Sequence, residues 1–161
     1  MTSKKKKSFI RAGWLLFYLY IILLSYFLFF SERYGREIVM KDYHYNLQLF
    51  KEIHRFIQYR QQLGMESFVV NILGNVLAFA PFGFLLPVLS KKYQKFFFTV
   101  FLCLLFSVCV ETTQLVLKVG IFDVDDILMN TVGGMVGYIT YAILHGMVKL
   151  FQPKQKKKGR K

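Results

Sequence analysis

Seven side chains able to move a proton, ligate a cation or hold a polar ligand lie in or at the edge of long apolar runs. They are Asn71, Asn75, Glu111, Gln114, Asp123, Asp126 and Asn130. A carboxylate inside a membrane span costs about 2.5–3.5 kcal/mol on insertion scales, so Glu111 is expected to point at partners rather than at lipid. The spacings group these residues. Asn71 and Asn75 share a helical face at i and i+4, as do Asp126 and Asn130, while Glu111 and Gln114 share one at i and i+3. As catalytic groups, Glu111, Asp123 and Asp126 would serve as acid, base or ligands to a divalent cation, Mg²⁺ or Ca²⁺. As a binding set, all seven would hold a polar head group. The alternative is a structural network in which the amides bridge helices. No Ser or Cys nucleophile stands beside a His, and there is neither an HExxH pair nor a phosphate-binding glycine loop. The reading therefore leans away from an enzyme, with no resident cofactor and no metal site expected.

These residues need helices to position them. The chain of 161 residues is 55% hydrophobic and 18% aromatic, too apolar for an ordinary soluble domain of this length. Four stretches are long enough to cross a hydrocarbon core: Gly13 to Phe30, Phe68 to Leu89, Phe96 to Leu117 and Ile127 to Val148. The expected fold is an all-α integral membrane protein, a four-transmembrane-helix bundle read as one domain over 1–161, with basic tails at 1–12 and 149–161. The first apolar run follows Lys4 to Lys7 and Arg11 but is too long for a signal peptide and lacks a small-residue cleavage site, so it reads as an uncleaved anchor.

Charge sets the orientation, because cationic loops stay on the cytoplasmic side. With both termini inside, fifteen of the 22 Lys and Arg fall on the cytoplasmic side and no loop carboxylate does. The expectation is a multi-pass protein of the bacterial plasma membrane with N- and C-termini cytoplasmic. This orientation places all seven polar groups at similar depth in the outer leaflet. The lysine runs "KKKK" and "KQKKKGRK" could neutralise nucleic-acid phosphates, but beside membrane spans they read as topology anchors touching anionic lipid, so no nucleic-acid partner is expected.

Other features read as architecture. Gly133-x-x-x-Gly137 is a small-residue strip for close helix approach. Pro81 removes an amide donor and Gly83 adds freedom, predicting a kink that makes room for a pocket. Cys103 and Cys109 point in different directions and suit packing rather than a disulfide. Between the first two spans, "LQLFKEIHRFIQYRQQL" carries Leu49, Phe50, Ile53, Phe56 and Ile57 on one face and predicts an extracytoplasmic interfacial helix.

Four pieces in order carry a family resemblance: "NLQLF" (Asn46 to Phe50), "NILGNVLAFAPFGFLLP" (Asn71 to Pro87), Glu111 with Gln114, and "FDVDDILMNTVGGMVGY" (Phe122 to Tyr138). Over residues 46–138 the chain resembles the VanZ-like family of small bacterial membrane proteins, whose founding member is associated with teicoplanin resistance. The resemblance implies a cell-envelope protein contributing to glycopeptide resistance. Its partners would be the lipid bilayer and a lipid-linked wall precursor or lipoglycopeptide. A membrane enzyme acting on a lipid head group or wall intermediate is the alternative. A small transporter ranks last, because four spans without a repeat make a poor pathway. Nothing in the sequence specifies an oligomeric state.

Overall fold

The computed structural model describes residues 3–30, 41–59, 61 and 69–151. In chain order they form α1 (Ser3–Phe30), β1 (Tyr45–Asn46), α2 (Lys51–Gln58), a π-helical turn (Val69–Leu73), α3 (Gly74–Leu89), a 3₁₀ turn (Lys91–Tyr93), α4 (Phe96–Leu117), β2 (Phe122–Asp123) and α5 (Val124–Phe151). Four helices are long and apolar enough to cross a membrane: Lys7–Phe30, Asn71–Leu89, Phe96–Leu117 and Val124–Phe151. This is an all-α, multi-pass membrane protein. The fourth helix exceeds the expected span at both ends, since its first turn carries Asp125 and Asp126 and its last carries Lys149. Phe68, expected to open the second span, lies outside the described residues.

Hydrocarbon tails are as apolar as leucine, so the helices associate through close packing and hydrogen bonds rather than through a hydrophobic drive. α3 and α5 make the most extensive contact, with α4 against α5 and α1 against α3. The glycine strip explains the α3–α5 approach. A Cβ on Gly133 would lie 2.3 Å from the Val76 carbonyl oxygen, and one on Gly137 1.9 Å from that of Ala80. Gly83 belongs to the same contact, because its Cβ would meet the Gly134 carbonyl oxygen at 2.0 Å. It is thus a packing residue rather than a source of freedom.

α3 runs as continuous α-helix through Pro81 and Pro87. A π-helical turn, Val69–Leu73, precedes it and carries Asn71. Phe79, Phe82, Phe17, Leu24 and Leu28 fill the core, with Phe82 stacked on Phe106 at 5.1 Å between centroids. Cys103 is buried beside Gly134 and Cys109 is exposed, both as free thiols. α1 is tied to the bundle by polar groups too: Tyr20 donates to the Ala78 carbonyl at 2.6 Å.

Candidate functional site

α1 and α4 end, and α3 and α5 begin, at one end of the bundle, and this end gathers the carboxylates. There β1 pairs with β2 in parallel, Tyr45 opposite Phe122 and Asn46 opposite Asp123. Two residues of ladder do not hold together alone. Side chains supply the rest. The Asn46 amide donates to the Asp123 carboxylate at 3.2 Å, while its Oδ1 accepts the Gln48 N–H at 3.2 Å in a local Asx turn. The Asp123 carboxylate also accepts the Asp125 N–H at 2.8 Å, capping the start of α5, and the Asp123 N–H donates to Glu111 Oε2 at 3.1 Å. Glu111 is 2% exposed. Its buried carboxyl group therefore has a backbone donor from the loop between α4 and α5.

Asp125 does the least expected work. Its side chain is completely buried and reaches across to α2, accepting the N–H of Phe50 on Oδ1 and those of Glu52 (2.8 Å) and Ile53 (3.3 Å) on Oδ2. α2 has no side-chain cap of its own. A carboxylate from another helix thus satisfies its orphan donors and sits at the positive end of its dipole. Phe50 at the N-cap is left-handed, with φ of 64°, a conformation that costs a bulky residue about 1–2 kcal/mol. The three hydrogen bonds to Asp125 hold it there. We call residues 44–58 the strap.

The strap faces outward with apolar side chains. Tyr45, Leu47, Leu49, Phe50 and Ile57 are all exposed, whereas Glu52 pairs with Arg55 at 2.6 Å on the surface. Within the pattern that predicts the interfacial helix, Lys51–Gln58 is helical and so is Gln61, Leu49 and Phe50 precede the helix, and Arg60, Gln62 and Leu63 lie outside the described residues.

The remaining site residues divide. Asn75 donates to Asp126 Oδ1 at 2.7 Å and joins α3 to α5 beside the strap, with Asn71 half-buried one turn earlier on the π-helical turn. Asn130 sits one turn deeper than Asp126, donates to Ser107 Oγ at 2.9 Å, and its buried Oδ1 has no hydrogen-bond partner among the described residues. Gln114 turns away and donates to the Leu28 carbonyl at 3.0 Å, so it fastens α1 to α4 instead of joining the other polar groups.

Burial raises the proton affinity of Asp123 above the ordinary carboxylate range. The N–H of Asp125 and the amide of Asn46 oppose the shift, the Asp125 charge adds to it, and Lys51 opposes it. Among the described residues no group of three His, Cys, Asp or Glu side chains is placed to hold a metal ion. Asp125 and Asp123 give their oxygens to N–H donors, and this donor set does not suit a hard divalent cation, which takes six or more oxygens.

Two residues central to this geometry stood outside the candidate set: Asp125 and Asn46. Asn46 opens the "NLQLF" stretch, so a signal existed. Asp125 carried none beyond its place in "DVDD", and Ser107 none at all.

The VanZ/LLP1 family model matches residues 17–145. Protein VanZ from Enterococcus faecium is 37% identical over 76 residues, which is 45% of this chain and 45% of that protein, so the match spans about half the length of this relative. No solved structure matches. The matched region runs from the core of α1 through the strap and the Asp123–Asp126 turn to the far part of α5, and with it the chain belongs to the VanZ/LLP1 family.

Proposed function

We propose that the protein contributes to teicoplanin-type glycopeptide resistance in the bacterial cell envelope, as a binding protein rather than an enzyme, with its carboxylate end in the outer leaflet. The excess of Lys and Arg at the opposite end supports that orientation. The observation that carries the reading is the strap. An exposed apolar row, Leu47, Leu49, Phe50 and Ile57, is fixed by Asp125 next to the Asn75–Asp126 pair. Such a surface matches an amphipathic molecule lying in the bilayer interface, with its tail along the apolar row and its polar head at Asn71, Asn75 and Asp126. A lipid-linked wall precursor or the lipoglycopeptide itself has that form. The occupation of Asp123 and Asp125 by backbone donors favours holding over acid–base chemistry.

The test is susceptibility of a strain expressing the wild type, Asp126→Asn or Glu111→Gln, with membrane accumulation matched by immunoblot. Both variants are expected to lower teicoplanin resistance. Undiminished resistance at matched expression would refute the site. A changed lipid or wall-precursor profile on expression would instead mark an enzyme.

A further inference from the structure

Two cavities of about 440 Å³ and 480 Å³ adjoin, sharing Phe84 and Leu144 in their walls, and run from Leu77 toward the end of the bundle opposite the carboxylates. Together they form one groove between α3 and α5, with Phe9 of α1 in its wall toward that end. Its α3 wall, Leu77, Pro81, Phe84 and Val88, recurs at helical spacing along one face, and Gly137, Leu144 and Val148 do the same on α5. From 77 to 88 an α-helix rises about 16 Å, close to half of a hydrocarbon core of about 30 Å. The groove is therefore one leaflet deep.

The walls change character toward the helix ends, where Gln94 and His145 line the groove and His145 stacks on Tyr141 at 5.3 Å. Beyond them the surface is cationic. Lys91, Lys92 and Lys95 flank Gln94, all exposed, and Lys149 follows His145 by one helical turn. Lys92 Nζ lies 5.9 Å over the rings of Tyr93 and Phe98. Among the described residues, every Asp and Glu sits at the other end of the bundle.

We propose that this groove is a binding site for an anionic phospholipid of the leaflet on the basic side. One acyl chain lies between α3 and α5, and the phosphate lies at Gln94, His145 and the flanking lysines. Depth, apolar walls and a cationic rim without carboxylates fit that occupant together. A zwitterionic lipid would place its ammonium against like charge, and a second copy of this chain would bring lysines against lysines. The site is independent of the strap and of the function proposed for it.

The experiment uses the full chain reconstituted in mixed phosphatidylcholine and phosphatidylglycerol vesicles, extracted into mild detergent and weighed by native mass spectrometry. The wild type is expected to retain phosphatidylglycerol in preference to phosphatidylcholine. Neutralising Lys91, Lys92 and Lys95 to Gln should cut that preference about tenfold or more. Leu144→Trp, at a position 46% exposed and so able to accept a larger side chain, should abolish retention by filling the groove while helicity by circular dichroism is unchanged. Equal retention of both lipids would overturn the proposal. So would loss with the lysine variant but not with Leu144→Trp, which would mean a diffuse lipid annulus. A change in oligomeric mass with Leu144→Trp and no change in lipid would identify the groove as a protein interface and overturn it too.

Discussion

Replacing Asp125 by alanine should release the strap and leave the bundle standing. Three backbone donors lose their acceptor, those of Phe50, Glu52 and Ile53. A hydrogen bond to a charged group is worth about 1.5–3 kcal/mol, but α2 is short and largely exposed, and water will replace part of what is lost. Loss of a helix cap alone costs about 0.5–2 kcal/mol. The left-handed backbone of Phe50 costs about 1–2 kcal/mol with or without Asp125 and so does not enter the difference. Discounted for water, the lost bonds leave a local destabilisation of about 2–4 kcal/mol, or about thirty- to nearly a thousand-fold in the opening equilibrium. Hydrogen exchange read by mass spectrometry on the protein in nanodiscs measures this directly. Peptides covering 44–58 should lose protection by that factor, while those from the centres of α3, α4 and α5 keep theirs. Asp125→Asn, which retains one acceptor oxygen, should fall between. Unchanged protection of the strap would refute the capping role. Loss of protection throughout the bundle would show that Asp125 supports the spans and not the strap alone.

Two further outcomes follow from the same geometry. Asp123 holds its proton more tightly in the folded protein than in the unfolded chain, so the stability it contributes is full below the ordinary Asp value of about 3.9 and is lost as pH rises through the raised folded value. The Tm of the detergent-solubilised protein should therefore fall across that acid-side window by more in the wild type than in Asp123→Asn, and equal slopes would refute the assignment. Gly137→Ala would place a methyl group 1.9 Å from the Ala80 carbonyl oxygen, where backbone rather than a flexible side chain must give way. It should cost about 1–3 kcal/mol or more and appear as reduced membrane accumulation; wild-type accumulation and Tm would show that α3 and α5 can separate freely.

The four spans, the glycine strip and the amphipathic character of α2 were legible in the sequence because each depends on neighbours a few residues away. Hydropathy over about 20 residues and spacings of three or four are properties of one helix, whatever it packs against. Partners distant in the chain were a different matter. Gln114 carried the same label as Glu111, three residues before it on one face, yet the first bonds Leu28 on α1 and the second bonds the backbone of Asp123. Helical spacing states which residues share a face and is silent on which neighbouring helix that face meets.

The strap shows the boundary most clearly. Residue types alone determined that this chain lives in a membrane, that its carboxylates gather toward one end and most of its Lys and Arg toward the other, and that glycines let two helices touch. Only the tertiary structure decided that Asp125, among the three acidic residues of "DVDD", is the one buried completely, and that it caps a helix more than 70 positions earlier. The physical reason is that a buried carboxylate is tolerated only where donors converge on it. Here those donors are backbone N–H groups, which every residue but proline carries and which leave no trace in the sequence.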